Sequence, residues 1–222
     1  MPSSLWTRTW TKVRYYRRGL SPFEFALRLL IDSIAKLGVR IELFHLVREG
    51  LAVAPALPER FFADKYEVAF LQPQDMSALA GIPGRRPTTE DLRQRLQDGK
   101  HCLAITRRGE IHAFTWCDLS TCRFEDFPLF SLQANEAYIF DAYTVETTRG
   151  QGLAPFMRYR LYEELAKLGR DRCYSITVLF NTPAARFKAK LGAQIVALHV
   201  FIELFTRWRW HRIVWRAREK KS

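Results

Sequence analysis

The residues best suited to chemistry in this chain of 222 residues form a loop with two glycines, RGQGLA at 149–154. The loop follows a strand-like segment and precedes a helical pattern. Glycine allows the left-handed backbone that points successive N–H groups at one spot, and a helix N-terminus adds partial positive charge. Such a loop binds phosphate through its backbone, so the spacing predicts a pyrophosphate site at 149–154.

Two other phosphate-binding loops do not fit this segment. A dinucleotide fingerprint needs a third glycine, where this chain has Pro155. A Walker loop ends in Gly-Lys followed by Ser or Thr, and that triplet does not occur in the sequence. We therefore expect a pyrophosphate that belongs to neither ligand class.

Two motifs in order along the chain resemble the GNAT superfamily of acyl-CoA-dependent N-acetyltransferases. The first is R-x-x-G-x-A at Arg149, Gly152 and Ala154. The second is N-x-x-A-x-x-F-x-x-K-L-G, which starts at Asn181 and includes Phe187. The resemblance implies acyl-CoA as co-substrate, an amine as acceptor, no metal and no nucleophilic residue on the enzyme.

The resemblance also implies which residues contact the acyl-CoA co-substrate. The loop would hold the pyrophosphate, the strand at 137–145 would offer backbone to the pantetheine arm, and the amides around Thr144 and Val145 would stabilise an oxyanion. The cofactor-binding residues implied in this way are Thr144, Val145, Arg149, Gly150, Gln151, Gly152, Leu153, Ala154, Asn181 and Phe187.

Amide formation needs a neutral amine, so a base must take a proton from the acceptor. We expect Asp141 to be that base, with Glu136 as the second candidate. Simple alternation along the strand puts one set of side chains on a single face, namely Ala137, Ile139, Asp141, Tyr143 and Val145. A carboxylate in such an apolar row is either functional or part of a salt bridge. His112 and His199 are interpreted as core histidines.

The departing thiolate benefits from an acid, and here the sequence differs from the family pattern. Relatives often have Tyr directly after the Phe of the second motif, whereas this chain has Lys188. An unperturbed lysine pKa of about 10.4 makes lysine a less natural partner for a thiol whose pKa is about 8.5. Lys188 is therefore one candidate acid, Tyr143 and Tyr174 are two others, and the thiolate could also leave unassisted.

The remaining pattern predicts an α/β (α+β) fold with a mixed, mostly antiparallel central sheet, helices on both faces and an N-terminal amphipathic helical extension. Strands are predicted at 39–47, 66–71, 101–106, 111–116, 137–145, 174–179 and 194–205 and from 207 onward, with helices near 72–79, 88–96, 153–168 and 184–190. Residues 51–58 read as a linker. The predicted divisions are 1–48, a basic and aromatic extension; 49–205, the acyltransferase domain; and 206–222, a basic Trp-rich strand and tail.

Charge is concentrated at the two ends of the chain, whose formal net charge is +12. Residues 1–20 hold five basic residues and no acid, and residues 206–222 hold seven basic residues and one acid. Trp and Tyr are interleaved with these charges, a combination that suits the headgroup region of an anionic bilayer. Nucleic acid is a weaker interpretation of the same pattern.

The segment from Ser21 to Gly38 predicts an amphipathic helix that opens with a capping box, Ser21-Pro22-Phe23-Glu24. Its wide apolar arc needs cover, which could come from lipid, from the catalytic domain or from a second subunit in a homodimer. The four cysteines form no C-x-x-C pair and are predicted to be structural thiols in a reducing compartment. No cleavable signal or membrane span is evident, so we expect a cytoplasmic protein, peripheral on the cytosolic membrane face.

These observations together predict an N-acyltransferase that moves an acyl group from acyl-CoA to a primary amine on a membrane amphiphile, such as a sphingoid base or amino-lipid, in lipid biosynthesis. The phenylalanine-rich segment 123–130 could line the lipid channel or belong to the core. One alternative is a soluble acetyltransferase acting on an amino sugar, polyamine or protein amine. Another is a non-catalytic module that uses the fold to bind a membrane or a partner.

Overall fold

The computed structural model of the chain describes residues 21–49 and 66–218. The predicted linker at 51–58, the basic N-terminal segment 1–20 and the last four residues lie outside the described residues. Along the chain the elements are α1 (Pro22–Ala35), β1 (Val39–Glu49), β2 (Glu67–Phe70), α2 (Met76–Ala80), α3 (Thr89–Gln97), β3 (His101–Arg107), β4 (Glu110–Asp118), β5 (Thr121–Phe124), β6 (Phe127–Ser131), β7 (Glu136–Thr144), α4 (Leu153–Lys167), β8 (Arg172–Val178), α5 (Thr182–Lys190), β9 (Gln194–Leu204) and β10 (Trp208–Arg216).

The chain divides into two compact units. The first, called the central unit, comprises residues 48–175, and the second, called the terminal unit, comprises residues 1–47 and 176–222. In the central unit the strand order is β8, β7, β4, β3, β2. The pairs from β2 to β7 are antiparallel, and β7 pairs with β8 in parallel. The predicted mixed, mostly antiparallel sheet is confirmed.

The two faces of the central-unit sheet are covered by different helices. Alternate residues of β3 and β4 send their side chains to opposite faces, as the strand period of two requires. One face packs against α2 and α3 through Met76, Leu79, Leu92, Cys102, Ala104, Phe114 and Trp116. The other packs against α4 through Leu103, Cys117, Ala137, Ile139, Leu161 and Leu165. Helices on both faces were predicted, and this prediction is confirmed.

Local sequence signals set several element ends. The Thr88 side chain accepts the Asp91 N–H, and the Asp91 carboxylate accepts the Thr88 N–H at 2.8 Å, which starts α3 at the predicted cap. The predicted hairpin of β3 and β4 forms around Arg108 and Gly109, both with positive φ. The phenylalanine-rich segment 123–130 falls in β5 and β6, which pair as a separate two-stranded sheet.

A buried polar cluster ties the end of β1 to α4 and β8 inside the central unit. The Glu49 carboxylate accepts hydrogen bonds from the Tyr162 and Ser175 hydroxyls, and Arg158 Nη1 lies 3.4 Å from it. Burial and the neighbouring carboxylate raise the pKa of Tyr162, which stays a hydrogen-bond donor. All four cysteines, namely Cys102, Cys117, Cys122 and Cys173, are buried and free of disulfides.

The terminal unit has the strand order β10, β9, β1, β8. The N-terminal strand β1 therefore lies between β8 and β9, and Leu179 N–H donates to the Leu43 carbonyl at 2.8 Å. Helix α1 begins with the predicted capping box, since Ser21 N–H donates to Glu24 Oε2 at 2.7 Å. Ile31 of α1 is buried, whereas Phe23, Leu29 and Leu30 are exposed.

No helix among residues 21–49 and 66–218 combines the length and apolar character needed to cross a bilayer.

Candidate functional site

Strand β7 is interrupted by a β-bulge. Its register to β4 pairs Phe140 with Trp116 but Tyr143 with Phe114, so that two residues of β7 oppose one residue of β4. Asp141 lies in the bulge with φ of +46°, a left-handed conformation that is uncommon for a residue with a Cβ. Asp141 and its neighbours therefore follow a different facing pattern from the rest of the strand.

The bulge changes which side chains share a face. Ala137 and Ile139 pack in the core cluster beneath α4, whereas Tyr143 and Val145 pack with the cluster beneath α2 and α3. The predicted single row from Ala137 to Val145 is wrong, because the extra residue at Asp141 shifts the alternation by one.

The parallel pairing of β7 with β8 ends before β7 does. The last pair in register is Ile139 with Ser175, although β7 continues to Thr144. A strand edge that loses its neighbour exposes backbone N–H and C=O groups that need other partners. This end of β7 leads directly into the predicted pyrophosphate loop.

A 3₁₀ turn at Glu146–Thr148 connects β7 to the loop and fixes its direction. The Thr148 hydroxyl donates to the Val145 carbonyl at 3.0 Å. Arg149 Nε donates to the Thr144 carbonyl at 3.2 Å, and Arg149 Nη1 lies 3.1 Å from Glu146 Oε1. The Arg149 side chain thus folds back on the turn and holds the entry to the loop.

Val145 N–H donates to the His112 carbonyl at 2.9 Å, which continues the pairing of β7 with β4. The Val145 amide is therefore used by the sheet edge next to β4. The expectation that backbone amides around Thr144 and Val145 stabilise an oxyanion stays a prediction. Thr144 stands opposite Ala113 in the same ladder.

The loop itself leaves a set of backbone donors unused. Gly150 and Gly152 have φ of +80° and +87°, and Gly152 is the N-cap of α4 without any side-chain cap. Within the described parts of the chain, the N–H groups of residues 150–154 donate to no backbone or side-chain acceptor. Five successive free N–H groups at the N-terminus of a 15-residue helix are the kind of arrangement that suits an anion.

Asp141 binds two arginines that come from other elements of the central unit. Its Oδ2 accepts hydrogen bonds from Arg85 Nη2 at 2.6 Å and from Arg95 Nη1 at 2.7 Å. Burial raises the pKa of Asp141, but the two guanidinium groups outweigh it, so the pKa lies below its usual value. Asp141 is consequently a stable carboxylate and a weak base.

Both arginines stack on aromatic rings of the sheet. Arg85 lies 4.9 Å from the ring centre of Phe114, and Arg95 lies 5.3 Å from that of Trp116. Tyr143 is flanked by two cations, since Arg85 and Arg149 each lie 5.5 Å from its ring centre. Tyr143 therefore joins the Asp141 cluster to the predicted pyrophosphate loop.

Glu136, the second candidate base, lies at the opposite end of β7. The rise of a strand puts it roughly 25 Å from Thr144 along the strand. Its carboxylate accepts the Gln133 N–H at 3.0 Å and the Tyr174 hydroxyl at 3.1 Å. Burial and the neighbouring Glu136 raise the pKa of Tyr174. These contacts close the turn before β7 and tie β7 to β8.

The second motif belongs to the terminal unit. Asn181 is the N-cap of α5, and its Oδ1 accepts the Ala184 N–H at 3.2 Å. Phe187 is half-buried in α5. Lys188 is buried, and its ammonium donates to the Ile176 carbonyl at 2.8 Å. The roles assigned to these three residues stay predictions.

The two histidines interpreted as structural sit in different surroundings. His199 is buried in the terminal unit, where its Nδ1 lies 2.6 Å from His211 Nε2 and its ring stacks on Phe44. Burial, with help from His211, lowers the pKa of His199 to about 4. His112 of the central unit packs edge-on against Tyr66.

Sequence reasoning missed Arg85 and Arg95. Arg85 lies in the loop between α2 and α3, and Arg95 lies in the last turn of α3. Arginines in such places are usually solvated, so nothing in their local sequence marks them. The only signal was the expectation that a carboxylate at Asp141 needs a cationic partner.

No model of a known protein family matches the sequence, and no curated protein sequence matches it either. Solved structures do match. A protein from Novosphingobium aromaticivorans described as a GNAT-family acetyltransferase aligns with a TM-score of 0.51 at 15% identity, covering 73% of this chain and 65% of that chain. The chain has the GNAT fold.

Two further solved structures are similar to the chain. A GCN5-related glucosamine N-acetyltransferase region of a fungal multi-domain β-N-acetylglucosaminidase gives a TM-score of 0.56 at 14% identity, covering 77% of this chain and 22% of that chain. A Drosophila protein gives 0.55 at 14% identity, covering 86% of this chain and 60% of that chain. The chain spans less than two thirds of the length of each of these three structures. The sequence motifs thus predicted the GNAT fold correctly.

Proposed function

We propose that this chain is an N-acyltransferase that uses acyl-CoA as donor and a primary amine as acceptor. The observation that carries the proposal is the row of five unengaged backbone N–H groups at residues 150–154. They follow a strand whose pairing with its parallel neighbour has ended, in a chain with the GNAT fold. A pyrophosphate satisfies those donors and the helix dipole together.

Acyl-CoA would supply a thioester whose carbonyl carbon is open to attack by a neutral amine. In the transfer a C–N bond forms, the C–S bond breaks, the amine loses a proton and the sulfur leaves as thiolate or thiol. No residue of the chain needs to carry the acyl group. Loop residues 149–154 orient the donor, and Thr144 with the exposed end of β7 provides backbone alongside it.

The proton-transfer residues remain candidates. Asp141 is held as a carboxylate by Arg85 and Arg95, which favours binding and positioning over proton abstraction. Tyr143 stands next to the loop, with the guanidinium groups of Arg85 and Arg149 each 5.5 Å from its ring centre. Lys188 donates to a main-chain carbonyl, and Glu136 lies at the far end of β7. We propose Tyr143 as the first residue to test as acid or base.

Calorimetry with acetyl-CoA and a long-chain acyl-CoA tests the donor half of the proposal. The full chain should bind both, and dephospho-CoA, which keeps the pyrophosphate, should still bind. Release of free thiol in the presence of a panel of primary amines then tests catalysis. Absence of acyl-CoA binding would contradict the proposal. Binding without thiol release for any amine would favour the non-catalytic module instead.

The finer proposal is that the acceptor amine is presented at an anionic membrane surface. Strand β10 is the edge of the terminal-unit sheet, and Trp208, Trp210 and Trp215 are about half or more exposed on it. Trp208, Trp210 and Trp215 stand opposite Leu204, Ile202 and Leu198 of β9, and the exposed Arg212, opposite Val200, shares their side of the sheet. Exposed tryptophans with an arginine beside them suit the headgroup region of a bilayer.

Co-sedimentation with vesicles tests the membrane half. The chain should sediment with vesicles that contain anionic lipid and not with neutral ones, and the triple variant Trp208→Ser, Trp210→Ser, Trp215→Ser should lose most of this binding. Leu168→Ser is the matched control, because Leu168 is an exposed apolar residue of the central unit. Full thiol release with soluble amines and no vesicle binding would favour the soluble acetyltransferase.

A further inference from the structure

The cluster around Asp141 is a partly buried arrangement of two cations and one anion. The side chains of Arg85, Arg95 and Asp141 keep 16%, 28% and 21% of their exposure. All three side chains are therefore partly accessible to solvent. All three lie on the face of the central-unit sheet that α2 and α3 cover.

The charges of the three hydrogen-bonded groups do not balance, although Asp91 on α3 adds a through-space attraction to Arg95. Both guanidinium groups use the same oxygen of Asp141, Oδ2, so one carboxylate serves two cations. Desolvating a second guanidinium without a second anion is unfavourable. One further negative charge would neutralise the cluster, whereas a doubly charged phosphate would overcompensate it.

Each of the two arginines has N–H donors that Asp141 does not use and that a bound carboxylate could accept. Each guanidinium offers five N–H groups in a planar fork, and each uses one nitrogen for Asp141. Their stacking on Phe114 and Trp116 fixes the planes of the forks. A fixed guanidinium plane matches a planar carboxylate with two parallel hydrogen bonds.

The cluster is adjacent to the proposed donor site. The ring of Tyr143 lies between Arg85 and Arg149, with both guanidinium groups 5.5 Å from its centre. Asp141 precedes Thr144 by three residues on β7, and Thr144 carries the carbonyl that Arg149 binds. A molecule bound at Arg85 and Arg95 would therefore lie on the sheet face covered by α2 and α3, near Tyr143 and the loop.

We propose that Arg85 and Arg95 bind a carboxylate of the acceptor, so that the substrate class is an amine that also bears a carboxylate. This proposal rests on the proposed function and names the substrate class of the same site. Asp141 is then a positioning residue. It holds the guanidinium groups of Arg85 and Arg95 toward the substrate, and the β-bulge fixes its own position.

The experiment compares amino acids with their own carboxamides as acceptors, with thiol release as the readout. The paired substrates share the amine and the side chain and differ in the negative charge. The carboxamide has the less basic, more readily deprotonated amine, so an advantage for the carboxylate form has to come from binding. We expect wild-type kcat/KM to favour the carboxylate member of the best pair by at least about tenfold.

Four variants separate binding from folding. Arg85→Gln and Arg95→Gln should each lower kcat/KM for the carboxylate substrate roughly 10- to 100-fold, as expected for a lost charge-assisted hydrogen bond. Arg95→Gln, which does not touch Tyr143, should leave the carboxamide within about threefold. Arg93→Gln, on the same helix with its side chain 45% exposed, should change neither rate. Arg95→Lys should restore part of the preference.

Each possible result either supports or overturns the proposal that Arg85 and Arg95 bind a carboxylate. Equal losses for carboxylate and carboxamide would overturn the proposal, because they indicate only a structural role, and so would a wild-type preference for the carboxamide. Failure to bind acyl-CoA would instead contradict the proposed function.

A second experiment compares a free amino acid with a lipid whose headgroup carries both amine and carboxylate, presented in vesicles. Activity in either arm supports the carboxylate site and identifies its source, and activity in neither overturns it.

Discussion

Replacing Gly152 with Asp places a negative charge at the mouth of the proposed pyrophosphate site. A phosphate oxygen bound to this N–H lies about 3 Å from the nitrogen, so the Asp carboxylate would lie roughly 5 Å from the phosphate charge. At an effective dielectric constant of about 20–40, the repulsion per charge pair is about 2–3 kcal/mol. We therefore expect the dissociation constant for CoA to rise about 30- to 150-fold.

Gly152→Asn isolates the charge from the backbone effect. Asn has nearly the same shape, tolerates the φ of +87° about as well as Asp and can also cap a helix. The two variants should therefore unfold within about 1 kcal/mol of each other, while only the Asp variant loses most of its CoA affinity. Calorimetry with CoA and urea unfolding of the same preparations measure both quantities.

Gly169→Asp controls for the position of the charge. Gly169 follows the C-terminus of the same helix with φ of +74°, so it carries the same backbone strain. The 15 residues of α4 put it about 22 Å from Gly152, beyond the Debye length of about 8 Å. Its CoA affinity should equal that of the wild type. Equal affinity of Gly152→Asp and Gly152→Asn would refute the placement of the pyrophosphate at this helix.

Two stability predictions concern buried polar groups. Glu49→Gln leaves Arg158 buried without its carboxylate, so urea unfolding should show a loss of about 3–5 kcal/mol; a loss below about 1 kcal/mol would contradict this. His199 has its folded pKa lowered to about 4, so protonation favours the unfolded state, and stability present above about pH 6.5 should fall by on the order of 3 kcal/mol toward pH 4. In His199→Gln the stability should fall less over the same pH range, and an unchanged fall would exclude this histidine as the cause.

Local signals in the sequence were sufficient for several parts of the fold. The two glycines of RGQGLA, the capping box at Ser21 and the cap at Thr88 each act through neighbours within about four residues. Each therefore predicts its own turn or helix start without knowledge of the rest of the chain. The GNAT resemblance rested on two such local motifs, and their order along the chain was enough to predict the sheet.

The bulge at Asp141 could not be predicted in the same way. A bulge depends on how β7 meets β4, which is a property of two strands and not of one. Strand alternation alone gave the wrong face for Tyr143. The arginine partners were equally hidden, since Arg85 and Arg95 precede Asp141 by 56 and 46 residues.

The position of β1 also depends on distant parts of the chain. Its alternation predicted a strand, but not that it would lie between β8 and β9 in the terminal unit. The same holds for Glu49 at its end, which forms its buried contacts with Tyr162 and Ser175. Because β1 is far in sequence from β8 and β9, its local pattern does not show which strands it pairs with; that depends on the whole sheet.

Amide NMR of the chain labelled with ¹⁵N-glycine tests the central claim most directly. The sequence has 11 glycines, so Gly150 and Gly152 can be assigned by single substitutions. On titration with CoA these two resonances should move the most and to the same saturation point, whereas pantetheine, which lacks the pyrophosphate, should leave them in place. Unmoved Gly150 and Gly152 resonances at saturating CoA, with shifts at other glycines, would contradict the account.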